Sequence, residues 1–320
     1  MFFNFLMKWL ILITLIMVLS SNSWFIYWLM MELNLLAFIP IMNSKKKNNS
    51  NCMISYFIIQ SFSSSLFFIS MLIYQMMNLT FFMYIVTISM MIKLAMIPFH
   101  FWLTNLSEMF NYSTLFIILT LQKFIPLFII SKTNMKIIII FAMISAIFSS
   151  LLMFNLKLIK KILIFSSISH QGWMMTIIFM KSNFWITYLI IYSFLIYKIT
   201  FLLKKNNLNF MNNFMLTKMN FFEKIYFCLL MFSLGGMPPY LGFIMKMITI
   251  MIIIKMNSII LMILILSSMM NIFIYAHLIN LNFFINMINT KMIKLKFNFK
   301  QIIIHFNLFI SIFLLNILMY

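Results

Sequence analysis

The sequence is short of the residues that build most cofactor sites. Its 320 residues include four glycines, two cysteines and three acids (Glu32, Glu108 and Glu223), and neither aspartate nor arginine. So few scattered glycines cannot form a phosphate-binding loop or a dinucleotide-binding turn. Cys52 and Cys228 lie too far apart in sequence to indicate a disulfide framework, a zinc site or an iron–sulfur cluster. We therefore expect no nucleotide, redox cofactor or metal to be bound by this chain.

Charge is equally scarce, whereas apolar residues dominate. Hydrophobic residues make up 65% of the chain and charged residues 8%, against about 25% charged residues in a soluble domain. Such a composition excludes a soluble globular protein and predicts an all-α polytopic membrane protein. Its apolar runs predict about 11 transmembrane helices, at residues 4–19, 24–42, 53–74, 79–98, 114–131, 137–155, 162–180, 184–203, 225–245, 258–280 and 302–319.

The 23 basic residues are all lysines, and their distribution indicates topology. Phosphate recognition favours arginine, so we expect no nucleic-acid partner. With eleven spans, 15 lysines fall on the face that holds the N-terminus and four on the opposite face. By the positive-inside rule, the N-terminus lies on the face from which the protein is inserted. The remaining four lysines lie inside apolar runs: Lys93, Lys123, Lys198 and Lys246.

Ionisable side chains inside a membrane span are candidates for function because each costs a few kcal/mol at mid-bilayer. Lys198 is close enough to its helix end for its amine to reach the interface, which favours a structural role. Lys123 lies in mid-span, where it is harder for the amine to reach the interface. Glu32 is the only acid within a span, and it requires either a proton or a cation such as Lys93. For Glu108, in a polar link, a solvated or capping role and a functional one both stay open.

Helix breakers accompany two of these lysines. Pro98 follows Lys93, and a Gly-Gly-Met-Pro-Pro segment at 235–239 precedes Lys246. Broken helices at membrane depth occur beside cavities or within protein, and paired breaks mark the sites of transporters. The pattern predicts antiporter-like inverted repeats of five helices with a broken helix in each half, at about 4–131 and 137–280, with an extra C-terminal helix at 302–319.

Two histidines extend the polar line. His170 lies in the second helix of the second repeat, the place that Glu32 occupies in the first. His100 lies at the edge of the first break. A functional role and a hydrogen-bonded structural role are both open for each of them.

Five segments together resemble the antiporter-like membrane subunits of respiratory complex I, the mitochondrial NADH:ubiquinone oxidoreductase. They are MELN at 31–34, KLAMIPFHFW at 93–102, LQK at 121–123, SHQGW at 169–173 and SLGGMPP at 233–239. Their order and spacing cover nearly the whole chain. The length resembles the animal, insect-like form, which lacks three leading helices of the bacterial counterparts.

The resemblance implies proton translocation across the mitochondrial inner membrane, with the N-terminus in the matrix. It places Glu32 and Lys93 in a buried couple, Lys123 at the central proton-carrying lysine, and Lys246 at the ionisable residue leading to the outlet. We expect His170 and hydrated backbone at residues 235–236 to bridge the gaps between them. It also implies other complex I subunits as partners, especially neighbouring antiporter-like ones. NADH, FMN, iron–sulfur clusters and ubiquinone are expected on those other subunits. Membrane lipids, among them cardiolipin at the matrix-side lysines, are expected neighbours.

Two other functions fit the same architecture. A free-standing secondary cation/proton antiporter shares it, but hard cations prefer several oxygen ligands and this chain places one acid in a span. A purely scaffolding protein would leave the buried lysines on breaker-rich helices unexplained.

Overall fold

The computed structural model of the chain describes residues 2–42, 49–133, 135–210, 221–238, 240–254 and 258–289. These residues form thirteen α-helices and no strand. The helices are α1 (Phe2–Ser20), α2 (Trp24–Met42), α3 (Asn49–Met77), α4 (Thr80–Leu94), α5 (Phe101–Leu106), α6 (Tyr112–Leu119), α7 (Leu121–Thr133), α8 (Ile137–Met153), α9 (Ile159–Phe179), α10 (Phe184–Lys205), α11 (Phe221–Gly235), α12 (Leu241–Ile253) and α13 (Ser258–Asn289).

Seven helical segments of this part of the chain are long and apolar enough to cross a membrane, and three shorter apolar helices accompany them. The predicted all-helical, multi-pass architecture is therefore confirmed in outline. Several predicted runs match closely, as at α2 and α10. The predicted helix at 302–319 and the lysine cluster at 45–47 lie outside the described residues.

Helix α9 lies at the centre of the bundle and is buried almost throughout. It contacts α7, α8, α10, α12 and α13. Its small residues allow close packing, since a Cβ added to Gly172 would lie 2.9 Å from the Ala142 carbonyl oxygen in α8. Its serines donate to carbonyl oxygens three residues earlier, which satisfies their hydroxyl groups within the helix. The helix can therefore carry polar side chains through an apolar bundle.

Helix α4 ends at Leu94, four residues before Pro98 and earlier than the predicted run. A proline ring clashes with the carbonyl four residues before it, and that carbonyl belongs to Leu94. Ala95 then adopts a left-handed conformation with φ 55°. Side chains from elsewhere satisfy the freed carbonyl groups: Gln171 Nε2 donates to Leu94 O at 3.1 Å, and Trp102 Nε1 donates to Ile92 O at 3.1 Å. The break is thus held inside the protein.

The fifth predicted run is also interrupted, which the sequence analysis did not predict. It forms α6 and α7, with Thr120 between them at φ −124° and ψ −78°. The Thr120 hydroxyl donates to the Phe116 carbonyl at 2.7 Å, a backbone contact that commonly bends helices. Lys123 therefore lies in the first turn of a new helix.

The second predicted break lies between α11 and α12. Gly236 has φ +85°, a conformation that favours glycine. At the other end of the break, Gly242 passes so close to α11 that an added Cβ would lie 1.6 Å from the Ser233 carbonyl oxygen. The two glycines thus allow the chain to turn and then to repack against itself.

Three polar connections gather at one end of the bundle. Lys161 pairs with Glu108 at 2.6 Å. The Tyr112 hydroxyl donates to the Leu208 carbonyl, and an isolated bridge joins Leu158 to Phe210. The segments after α5, α8 and α10 therefore lie on the same face.

Candidate functional site: a line of buried lysines

Lys93 and Lys123 border one small polar cavity. Its volume is about 20 Å³, and its lining includes Gln60 and Gln122 beside the two lysines. A space of this size holds about one water molecule, provided that polar groups surround it. The break after α4 and the break before α7 bring the two lysines to this common space.

The Glu32 carboxylate is half-buried in α2 and accepts a hydrogen bond from the Ser64 hydroxyl of α3. The ion pairs within 4.0 Å in the described part of the chain do not include Glu32 with Lys93. Coulombic attraction from Glu32 nevertheless acts on Lys93. The direct hydrogen-bond partner of the acid is therefore Ser64, and the coupling of Glu32 to Lys93 stays a prediction.

Lys123 is 3% exposed, and its ammonium donates to the Ser167 carbonyl of α9 at 3.4 Å. The preceding residue fixes the start of α7, because Gln122 Nε2 donates to Asn34 Oδ1 at 2.9 Å. Asn34 lies two residues after Glu32. The central lysine is therefore connected to α2 on one side and to α9 on the other.

His170 occupies the space between the second and third lysines. It is 2% exposed, and its Nδ1 lies 2.8 Å from the Tyr188 hydroxyl oxygen. The positive charges of Lys246 and Lys123 both act on it. The contact with Tyr188 is compatible with the structural role, and the functional role stays a prediction.

Buried polar atoms without a hydrogen-bond partner surround His170. Among the described residues they include the hydroxyl groups of Tyr192 and Tyr275, together with Asn271 Oδ1. The two tyrosines approach serines of α9 without completing a hydrogen bond. Buried polar groups are normally satisfied by protein or by ordered water. This cluster is consequently suited to bind water between α9, α10 and α13.

Lys246 completes the line at the break between α11 and α12. It is 5% exposed, and its ammonium donates to the Gly235 carbonyl. The same ammonium lies 5.9 Å from the centroid of the Trp173 ring, within the range of a cation–π interaction. A carbonyl group at the end of the broken helix thus binds the lysine.

The remaining candidates do not line the cavity that Lys93 and Lys123 share. His100 is buried before α5, and its Nδ1 has no partner among the described residues. Lys198 is half-buried and lies 5.2 Å from the Phe194 ring, in keeping with a structural role. Glu108 forms its surface ion pair with Lys161.

Sequence reasoning missed the residues that hold the site together, notably Ser64, Gln60, Gln171 and Asn271. Each is a polar residue inside an apolar run, which is a usable signal. Serine and asparagine are frequent in this chain, however, so the signal does not select these positions without their spatial neighbours.

Comparison with known proteins identifies the family of the chain. Residues 21–274 match the family described as NADH:quinone oxidoreductase/Mrp antiporter, TM. NADH-ubiquinone oxidoreductase chain 2 of Rhipicephalus sanguineus is 47% identical, over 78% of this chain and 79% of that protein. The chain 2 protein of Anopheles gambiae is 38% identical, over 72% and 71%.

Solved structures share the fold. Respiratory complex I from Thermus thermophilus with bound aureothin contains a chain with a TM-score of 0.80 at 16% identity, covering 88% of this chain and 70% of that one. The Mrp complex from Dietzia gives a TM-score of 0.74 at 14% identity, covering 84% and 58%. The chain therefore belongs to the NADH:quinone oxidoreductase/Mrp antiporter transmembrane family, and within it to the group of the chain 2 proteins.

Proposed function

We propose that this chain moves protons along the line Glu32, Lys93, Lys123, His170 and Lys246. It does so as a membrane-arm subunit of the proton-translocating NADH:ubiquinone oxidoreductase, respiratory complex I, in the mitochondrial inner membrane. The relatives named NADH-ubiquinone oxidoreductase chain 2 support this assignment. The observation that carries the proton route is the polar cavity shared by Lys93 and Lys123.

The proposed mechanism uses charge to move a proton. Lys93 keeps its positive charge while Glu32 attracts it. When that attraction weakens, the positive charge of Lys93 destabilises the protonated form of Lys123. At an effective dielectric constant near 20 and a spacing of about 8 Å, two unit charges repel each other by roughly 2 kcal/mol. Lys123 then releases its proton toward His170 and Lys246. The hydroxyl groups of Tyr192 and Tyr275 have no hydrogen-bond partner among the described residues. Water bound there connects Lys123, His170 and Lys246.

Two structural details support this route. Lys123 has the Ser167 carbonyl as its hydrogen-bond acceptor, and the ion pairs of the described residues do not include it. Its proton is therefore not held by a neighbouring carboxylate. His170 lies on α9 between Ser167, whose carbonyl accepts from Lys123, and Trp173, whose ring lies under the Lys246 ammonium.

Further elements of the proposal concern architecture and partners. We propose eleven spans, arranged as inverted repeats of five helices at about 4–131 and 137–280 with an extra helix at 302–319. NADH, FMN, iron–sulfur clusters and ubiquinone are bound by other subunits. Neighbouring antiporter-like subunits form the flanks of this chain. The structures of related membrane complexes support assembly with other membrane-arm subunits.

Replacement of Glu32 by glutamine tests the route. The amide oxygen can still accept from Ser64, so the packing is kept while the charge is removed. We expect coupled NADH-to-ubiquinone turnover of the assembled complex to fall by about tenfold, equivalent to about 1.4 kcal/mol. Electron transfer from NADH to an artificial acceptor should be unchanged.

Glu108→Gln is the matched control for this experiment. It removes a carboxylate of the same type, but from a surface ion pair worth about 0–1 kcal/mol. We expect its coupled turnover to equal that of the unsubstituted complex. Equal turnover in the two variants would contradict the proposed role of Glu32.

The orientation is tested by labelling single cysteines with a membrane-impermeant maleimide. Lys157 lies beside the gathered segments and is exposed, whereas Lys136, also exposed, begins α8 at the other end of that helix. With the N-terminus in the matrix, Lys157→Cys should react only from the matrix side and Lys136→Cys only from the intermembrane side. The unsubstituted chain corrects for Cys52 and Cys228. Labelling of both variants from one side would overturn the eleven-span topology.

A further inference from the structure

A surface cavity lies on the outside of the bundle, and the lysines of the proposed proton route do not line it. It has a volume of about 410 Å³, in the range of ligand-binding sites, and α1, α6, α7 and α10 line it. We call it the α1–α10 groove. Lys8 and Lys204 lie at one end of it, and both side chains belong to exposed residues. The lining below them is mostly apolar and includes Leu12, Phe116 and Phe201.

The groove has the length of one leaflet. Its lining along α6 and α7 extends from Tyr112 to Leu121, ten residues separated by nine steps, which corresponds to about 14 Å at 1.5 Å per step. That is about half of a hydrocarbon core roughly 30 Å thick. Tyr112 begins α6 and Lys204 lies in the last turn of α10, so the charged end lies at the membrane surface.

The positive charge at the lysine end of the groove favours an anionic occupant. Lys8 and Lys204 both line it, and the lining contains no acid. Each lysine near a membrane surface attracts anionic headgroups. The exposed rings of Tyr197 and Phe201, 49% and 56% accessible, offer an apolar wall that would otherwise face bulk lipid.

We propose that the α1–α10 groove is a specific site for an anionic phospholipid. Its phosphate lies between Lys8 and Lys204, and one acyl chain descends to Leu121. Because Leu121 is followed by Gln122 and Lys123, the chain end lies beside the first turn of α7. The lipid thereby closes the lateral side of the central lysine to water. This site stands on the groove alone and does not depend on the proton route.

The assembled complex, reconstituted with a cardiolipin that carries a photoreactive diazirine on one acyl chain, tests the proposal. We expect cross-links to peptides spanning 112–121 and 197–204. A Lys8→Gln, Lys204→Gln double variant should reduce that labelling by about tenfold, equivalent to about 1.4 kcal/mol of affinity. Leu12→Trp should also reduce it with both lysines present, because the indole occupies the groove.

The matched control is a Lys157→Gln, Lys205→Gln double variant. It removes two exposed lysines, one of them adjacent to Lys204, that do not line the groove. We expect its labelling to be unchanged. A phosphatidylcholine analogue that labels the same peptides equally well would overturn the requirement for an anionic headgroup. Undiminished labelling in the Lys8, Lys204 double variant, or labelling confined to other peptides, would overturn the site itself.

Discussion

Replacement of Gly242 by alanine is expected to abolish assembly of this subunit into its complex. The added Cβ would lie 1.6 Å from the Ser233 carbonyl oxygen and 2.8 Å from its carbon. Both are backbone atoms of α11, so no side-chain rotation can relieve the overlap. Overpacking of a core costs about 1–3 kcal/mol when side chains can adjust, and more when they cannot. Since α12 carries Lys246, the loss also removes the end of the proposed proton route.

Gly235→Ala provides the comparison within the same break. Its added Cβ would meet side-chain atoms of Ile272 and Tyr275 at 3.1 and 3.2 Å. A shift of a few tenths of an ångström in these side chains accommodates the methyl group. Native gel electrophoresis of solubilised inner membranes measures assembly for both variants. If Gly242→Ala assembled normally and Gly235→Ala failed to assemble, the close approach of α12 to α11 would be contradicted.

Replacement of Lys123 by methionine is expected to stop coupled turnover without preventing assembly. Methionine has a similar length and an unbranched chain, so it fills the space of the lysine stem. The lost hydrogen bond to Ser167 is long, at 3.4 Å, which makes the structural cost small. The lost function is large, because the lining of the cavity includes no other lysine and no histidine or acid to replace Lys123 beside Lys93. Loss of a proton-transferring group lowers rates by about 10²–10⁴-fold.

The membrane architecture was largely predictable because the bilayer imposes one length and one polarity on every span. Runs of 16 to 23 apolar residues follow from its thickness, and the structure confirms the helical, multi-pass character in outline. The lysines within the spans were recognisable in the same way. A charge inside an apolar run is rare and costly, so Lys93, Lys123 and Lys246 were recognisable without any structure.

The interruption at Thr120 was not predictable. Threonine is common in membrane helices, and only its hydroxyl contact with Phe116 and the packing of α6 and α7 reveal the break. The end of α4 at Leu94 follows from Pro98, but Gln171 and Trp102 stabilise it from distant positions in the sequence. Such long-range partners depend on the tertiary fold.

The direct partner of Glu32 was likewise hidden. A carboxylate and a lysine within apolar runs suggest an ion pair by charge alone, whereas the structure gives Ser64 as the hydrogen-bond partner of Glu32. Serines recur in α3 at positions 61, 63, 64 and 65. The sequence alone therefore does not show which of them contacts Glu32. The choice depends on which face of α3 meets α2.

The most direct test of the central claim is proton movement by the assembled complex that carries Lys123→Met. Reconstituted vesicles that contain a pH-sensitive dye report proton transport during NADH oxidation by ubiquinone. Lys198→Met is the matched control, since it also removes a lysine from an apolar helix. Lys198 lies over the Phe194 ring and is not part of the proposed proton route. With Lys123→Met, we predict no measurable coupled turnover or acidification, while electron transfer from NADH to an artificial acceptor stays intact. With Lys198→Met, we predict that turnover and acidification equal those of the unsubstituted complex. Normal acidification and turnover in an assembled Lys123→Met complex would contradict the account.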